Sequence, residues 1–286
     1  MAELRTIEAA PGLVFDAMVA GPEGAPLVPL LHGFAESFHM WRSQVAALAA
    51  GYRAVAPSQR GYSPGARPDL SNPANYHMDR LVADAMDLAA AAGGDGRRRF
   101  HLVGHDWGAS IAWDIASRTP QRLATLTVLS RPHPNAFNRA LLGADAAQAQ
   151  RSHHHTAFLA PEAGVRILTD DARWLRERLA RSGVPAAAIA QHIAVIGNGP
   201  AMEGALAWYR ARGAVRPPIG VIGVPVLYLW GDADDSVGRV AAEGTGEFVS
   251  GPYRFEVLPG GGHFIAEQFP DRVNALLLAH LAAHPV

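Results

Sequence analysis

Gly104-His105-Asp106-Trp107-Gly108 stands between an aliphatic run, Phe100–Val103, and a stretch that turns helical from Gly108 onward. A strand that breaks at a glycine and resumes as a helix has the shape of the G-x-S-x-G nucleophile elbow, here with Asp in the place of Ser. Such a turn lifts one side chain above a sheet. It also points the next N–H, that of Trp107, at the same spot, beside the positive end of a helix. Glycines flank the turn because neighbouring backbone comes too close for side chains. Asp is also a favoured helix cap, so a simple capping turn is the alternative for this segment taken alone.

The exchange of Ser for Asp bears on the reaction. A serine attacking a saturated carbon would form an ether, which mild hydrolysis does not cleave. A carboxylate attacking the same carbon forms an ester, whose carbonyl then accepts water. Asp106 at an elbow therefore points to alkylation followed by hydrolysis.

Outward from the elbow, short aliphatic runs alternate with helical spacing. Strands are expected at Leu13–Val19, Leu27–Leu31, Tyr52–Ala56 and Phe100–Val103 in the first half, and at Leu123–Leu129, Val224–Trp230 and Arg254–Leu258 in the second. Helices are expected from about Trp41 to Ala50, from Asp79 to Ala92 with a stop at Gly93-Gly94, from Gly108, from about Val240 and from about Pro270. This rhythm predicts an α/β fold, a mostly parallel sheet with helices on both faces. Between about Arg131 and Pro218 the strands disappear and Ala-, Leu- and Arg-rich helical patterns take over. The expected organisation is residues 1–130 as the first part of the core, 131–218 as an inserted helical cap, and 219–286 as the second part. A block inserted there lies over the carboxyl edge of the sheet, where open sheets bind ligands.

Bulk properties narrow the classes. Hydrophobic residues make up 49% and charged residues 18% of the 286, enough for a large buried core. The net charge is -1 and no long block of like charge occurs, which argues against nucleic acid or an anionic membrane as partner. With 0 Cys, disulfides and thiolate catalysis are excluded. The N-terminus carries Glu3 and Glu8 and lacks the apolar run of a secretory signal, and Ile219–Trp230 is too short to span a bilayer. A soluble, cytoplasmic protein is expected.

Two further segments supply partners for Asp106. His263 follows the strand Arg254–Leu258 in Pro259-Gly260-Gly261-Gly262-His263-Phe264, the place of the base in folds ordered nucleophile, acid, histidine. Trp230-Gly231-Asp232-Ala233-Asp234-Asp235 offers three carboxylates, of which one suffices to orient the imidazole. Leu31-His32-Gly33-Phe34 leaves a strand with a His-Gly pair and can present the Phe34 N–H as a second oxyanion donor, or be an ordinary strand-end turn.

With these segments in this order, the chain resembles the epoxide hydrolases of the α/β-hydrolase superfamily, related to the haloalkane dehalogenases, over nearly its whole length. The resemblance selects Asp234 as the acid by its spacing from Gly231, since Ser130-Arg131-Pro132 offers no carboxylate at the alternative position. It also implies a lid acid at Tyr209, in Trp208-Tyr209-Arg210. The family's second lid Tyr corresponds to His154, judged by Phe158 and Pro161, with His153 or His155 in that place if the register shifts by one. Consecutive helical side chains diverge by about 100°, so this His run is not expected to hold a metal. Ala35 stands where the family commonly has Pro, often after a cis bond. With Ala a cis peptide would cost about 2.5–4 kcal/mol, so a trans, differently placed oxyanion loop is expected.

The activity this implies is cofactor-independent opening of small epoxides. Asp106 attacks, Tyr209 and His154 bind the epoxide oxygen, His263 with Asp234 activates water, and Phe34 and Trp107 hold the oxyanion. Substrate and water are the expected partners, and a homodimer is the candidate assembly. Two rivals remain. A haloalkane or haloacid dehalogenase would use the same Asp, but such relatives commonly carry Asn at the position of Phe34, or Arg residues where this chain has Trp107, Gly108 and Ala109. A catalytically silent binding protein could also use the scaffold.

Overall fold

In the computed structural model, which describes residues 2–93, 98–143, 146–213 and 217–286, the aliphatic runs form one eight-stranded sheet. The strands are β1 (Glu3–Ala10), β2 (Leu13–Ala20), β3 (Leu27–Leu31), β4 (Arg53–Pro57), β5 (Phe100–His105), β6 (Leu123–Leu129), β7 (Val226–Gly231) and β8 (Tyr253–Leu258). Their order is β1-β2-β4-β3-β5-β6-β7-β8. The pairs from β4 through β8 are parallel, and β1 and β2 form an antiparallel margin. The strand order reverses between β3 and β5, which opens a crevice beyond their carboxyl ends. Phe34 and Asp106 both stand there.

The helices of the first half are α1 (Arg42–Leu48), α2 (Met78–Gly93) and α3 (Trp107–Arg118). Then come α4 (Pro134–Leu142), α5 (Ala146–Arg151), α6 (His154–Ala157), α7 (Ala163–Arg181), α8 (Ala186–Ile196) and α9 (Gly199–Arg210), all between β6 and β7. α10 (Arg239–Glu243) precedes β8, and α11 (Ile265–Gln268) and α12 (Pro270–Ala283) follow it. Alternation along each strand sends neighbouring residues to opposite faces. Val28, Leu30, Val103 and Leu229 pack with Val45 and Leu48 of α1 and Leu276 and Leu277 of α12. Leu31, Leu102, Val128 and Tyr228 pack with Leu81 of α2 and Ile111 and Ile115 of α3. Both faces are covered, as the near-continuous apolar character of β3, β6 and β7 requires.

Most expected elements appear within two residues of their predicted ends. β1 is missing from the sequence-based reading, because an exposed edge strand carrying Glu3, Arg5 and Glu8 lacks the apolar run that marks a core strand. The helix expected from Trp41 to Ala50 is instead a 3-10 turn at Phe38–Trp41, capped by Ser37, followed by α1. Gly94 lies outside the described residues, and α2 ends at Gly93.

In residues 131–218 the regular structure among the described residues is helical, with α7 broken by non-helical backbone at Thr169–Ala172. α9 sits hard against the core. A Cβ at Gly204 would lie 2.6 Å from the Gly61 Cα, so the two backbones touch where neither has a side chain. One turn further on, Trp208 Nε1 donates to the Arg60 carbonyl at 3.0 Å, and Arg60 is fixed by a bidentate pair with Asp84 at 2.6 Å. α8 is tied down separately. Its His192 accepts the Ser37 N–H at Nδ1 (3.0 Å) and donates from Nε2 to Glu267 (2.8 Å).

Candidate active site

β5 ends at His105 and α3 begins at Trp107, leaving Asp106 between them at φ 48° and ψ −112°. A non-glycine residue held at positive φ costs about 1–3 kcal/mol, strain that tends to collect at functional positions. The Asp106 side chain makes no capping bond to α3, so the plain capping role does not apply. Two glycines create the space. A Cβ at Gly33 would stand 2.5 Å from the Asp106 Cβ, and one at Gly108 would stand 2.1 Å from the Leu31 carbonyl oxygen.

The two carboxylate oxygens of Asp106 have different surroundings. Oδ1 accepts the Phe34 N–H at 3.1 Å, while Oδ2 faces His263 Nε2 at 3.8 Å. On the far side of the imidazole, Nδ1 donates to Asp234 at 2.9 and 3.1 Å. Asp234 is held in turn by the N–H groups of Ser236 (2.7 Å) and Val237 (3.0 Å). Of the three carboxylates in this loop, only Asp234 reaches His263. Asp232 accepts the Gly260 N–H, and the exposed Asp235 pairs with Arg178. Trp107 opens α3, and its N–H is one of the first four in the helix, which have no intrahelical acceptor.

Charge couples these groups. Burial pushes the Asp106 carboxyl up, but the neighbouring His263 outweighs it and holds Asp106 well below the usual carboxylate range. Burial pulls His263 down, yet Asp234 and Asp106 on either side raise it to about 10. At neutral pH the resting site therefore holds an imidazolium between two carboxylates.

The loop after Phe34 is trans, as expected for Ala35, with no cis peptide among the described residues. Ala35 takes φ 72°, next to the Phe34 N–H that donates to Asp106.

Residues of the helical stretch 131–218 converge on the same cavity. Tyr209, His154, His155, Phe158 and Arg178 line it opposite Phe34, Asp106 and His263, and the free volume left between them is about 20 Å³. That is room for about one water. The Tyr209 ring packs edge-on against Phe34, Trp107 and Phe158, and burial raises its phenol, so it keeps its proton. The three histidines separate clearly. His153 is exposed. His154 places Nδ1 3.0 Å from the Arg151 carbonyl, which can only accept, so Nδ1 carries the ring proton. Burial lowers His154 to about 4, which keeps it neutral and leaves its Nε2 without a proton to give. His155 has no such tether among the described residues and lies 5.8 Å from the Tyr209 ring.

Several residues here escaped the sequence-based reading. Arg131 reaches the cavity from the turn after β6, where Ser130 has φ 54°. Its place at a strand's carboxyl end was a usable signal, read only for the carboxylate it lacks. Beneath the elbow, His105 Nε2 donates to the His263 carbonyl at 2.9 Å and Nδ1 lies 3.2 Å from the buried Glu36. Burial raises the Glu36 carboxyl to about 7. Glu36, His192 and Glu267 form the one group of metal-capable side chains among the described residues, and His192 and Arg42 already occupy Glu267.

Comparison with known proteins agrees with this architecture. Residues 26–270 match the family described as the alpha/beta hydrolase fold. The chain is similar to Epoxide hydrolase 4 of Mus musculus, 31% identical over 281 residues, covering 94% of this chain and 77% of that protein. It is 32% identical to Epoxide hydrolase A of Mycobacterium tuberculosis, covering 92% of each. Among solved structures, Epoxide Hydrolase A from Mycobacterium thermoresistibile superposes over 100% of both chains with a TM-score of 0.84 at 29% identity.

Proposed function

The chain belongs to the epoxide hydrolases of the α/β-hydrolase superfamily, and from that we propose that it converts small organic epoxides to vicinal diols through an ester on Asp106. The observation that carries the assignment of roles is the unlike setting of the two Asp106 oxygens. Oδ2, with no hydrogen bond among the described residues and facing His263, is the attacking atom. Oδ1, on the Phe34 N–H, becomes the ester carbonyl oxygen and later the oxyanion.

The proton accounting follows from the charges. Oδ2 attacks a ring carbon, the C–O bond breaks, and Tyr209 gives its proton to the departing oxygen. Esterification removes the negative charge that helps keep His263 protonated, so the imidazolium loses its proton, which returns through solvent to the Tyr209 phenolate. His263 is now a neutral base, oriented by Asp234. It takes a proton from water, and hydroxide adds to the ester carbonyl while the N–H groups of Phe34 and Trp107 hold the oxyanion. Collapse expels the diol oxygen, which takes the proton from the newly formed carboxyl of Asp106. The carboxylate, imidazolium and phenol are then restored, and no cofactor enters.

For the second group at the epoxide oxygen, the proposal moves from His154 to His155, because the bond of His154 to the Arg151 carbonyl leaves it no ring proton to donate. Residues 131–218 are proposed as the cap closing the site, with 1–130 and 219–286 as the two parts of the core. No helix among the described residues is long and apolar enough to cross a membrane. A cytoplasmic location and a homodimer complete the proposal.

The test is His263→Gln. Attack needs only an ionised carboxylate, whereas ester hydrolysis needs the base, so this variant should accumulate an adduct on Asp106. With a simple epoxide the adduct carries the full substrate mass, because ring opening loses no atom. Adducts formed only from haloalkanes, lighter than substrate by the hydrogen halide, would reassign the chain to the dehalogenases. Absence of any adduct in the folded variant would favour a silent binder.

A further inference from the structure

A second cavity, of about 430 Å³, adjoins the catalytic one and shares Arg131 and His155 with it. Phe137, Leu141 and Trp208 give it apolar walls, and Arg212 stands exposed on its lining. This volume falls within the range of small-molecule sites. Arg131 and Arg212 differ from the arginines around them. Arg178, Arg60 and Arg210 each pair with a carboxylate, Asp235, Asp84 and Glu203. Arg131 and Arg212 have no carboxylate at ion-pair distance among the described residues. They rest on aromatic faces instead, Arg131 3.9 Å from the Phe137 centroid and Arg212 4.4 Å from that of Trp107. Stacking of this kind positions a guanidinium while leaving its in-plane N–H fork open to a planar anion.

The carboxylate acting most strongly on Arg131 is Asp106, whose charge vanishes when the ester forms. From that moment Asp234 is the one carboxylate still acting on this half-buried cation, unless the substrate brings an anion of its own. We infer that Arg131 and Arg212 form a carboxylate-recognition site, and that the preferred substrates are amphipathic epoxy acids, the apolar chain lying along Phe137, Leu141 and Trp208. This rests on the reading above that Asp106 opens epoxides. The plainer alternative makes Arg131 only a support for Asp106 ionisation, which would serve charged and neutral epoxides equally.

The experiment compares kcat/KM for terminal epoxyhexanoate and epoxyundecanoate with their primary amides, which match in shape and lack the charge. Wild type should prefer the acid about tenfold or more at one chain length, a preference that falls at high salt. Arg131→Gln and Arg212→Gln should each lower the acid-to-amide ratio about fivefold or more. A wild-type ratio near one, or equal losses on acid and amide in Arg131→Gln, would overturn the inference while leaving epoxide hydrolysis intact. Titration with phenylhexanoate and its amide reads the cation pair with no chemistry. Tighter binding of the acid that both variants abolish, in a protein that opens no epoxide, would sink the catalytic reading and keep the anion site. Equal binding of acid and amide would sink the anion site.

Discussion

At the scale of single residues, the site depends on which atoms carry protons. Tyr209 is a phenol kept protonated by burial, and in the proposed mechanism removing its hydroxyl takes away the proton donor for the departing alkoxide. Tyr209→Phe should slow formation of the Asp106 ester about 100-fold, within the usual range for a general acid, with thermal unfolding little changed. Single-turnover kinetics of adduct formation would measure this. The two lid histidines should then separate. His155→Phe should cost more than His154→Phe, since only His155 has a ring N–H uncommitted to a backbone carbonyl. The opposite order would return the role to His154, the position the family register selects.

At the scale of elements, α9 is the part that brings Tyr209 to the carboxyl edge of the sheet. It is seated by the bare contact of Gly204 on Gly61 and by the Trp208 bond to the Arg60 carbonyl, and it delivers Tyr209 one residue later. Gly204→Ala would improve helix propensity by about 1 kcal/mol if the helix stood alone. Here the added methyl meets backbone at 2.6 Å, so α9 must move outward. The expected outcome is a lower unfolding temperature and a rate of ester formation reduced about tenfold or more, because misplacement of about 1 Å costs that order or greater. A variant as stable and active as wild type would show that α9 is held chiefly elsewhere.

At the scale of the whole molecule, pH acts through histidines buried in opposite states. Burial lowers His32 to about 3 and His101, His133 and His280 to about 4, so these are neutral in the folded protein. The unfolded chain binds protons at its histidines near pH 6.5 and the folded chain does not. Stability is therefore complete above about pH 6.5 and falls below it, by up to about 1.4 kcal/mol per pH unit for each such residue. His263 works the other way. Its folded value of about 10 gives stability that is present at low pH and lost as pH rises from about 6.5 through 10. Urea midpoints should peak near neutrality, drop steeply toward pH 5 and fall gently toward pH 10. A flat profile on the acid side would mean these histidines are not buried neutral.

The strand rhythm around Gly104-His105-Asp106-Trp107-Gly108 was readable because strand alternation, glycine turns and helical spacing are local properties of consecutive residues. The order of Asp106, Asp234 and His263, after β5, β7 and β8, was readable for the same reason: a parallel sheet delivers the carboxyl end of every strand to one edge. Local signals are silent where the outcome depends on a neighbour from far along the chain. β1 exists because β2 offers it an edge, although its own residues look like a polar terminus. Asp234 excels over Asp232 and Asp235 only because the backbone N–H groups of Ser236 and Val237 hold it against His263. Arg131, with no carboxylate at ion-pair distance among the described residues, comes to line the cavity of Asp106 only through the fold. Sequence determined the scaffold and the order of the reactive groups. Tertiary packing decided which carboxylate meets His263 and which cation lacks a carboxylate partner among the described residues, since both arise from contacts between distant segments.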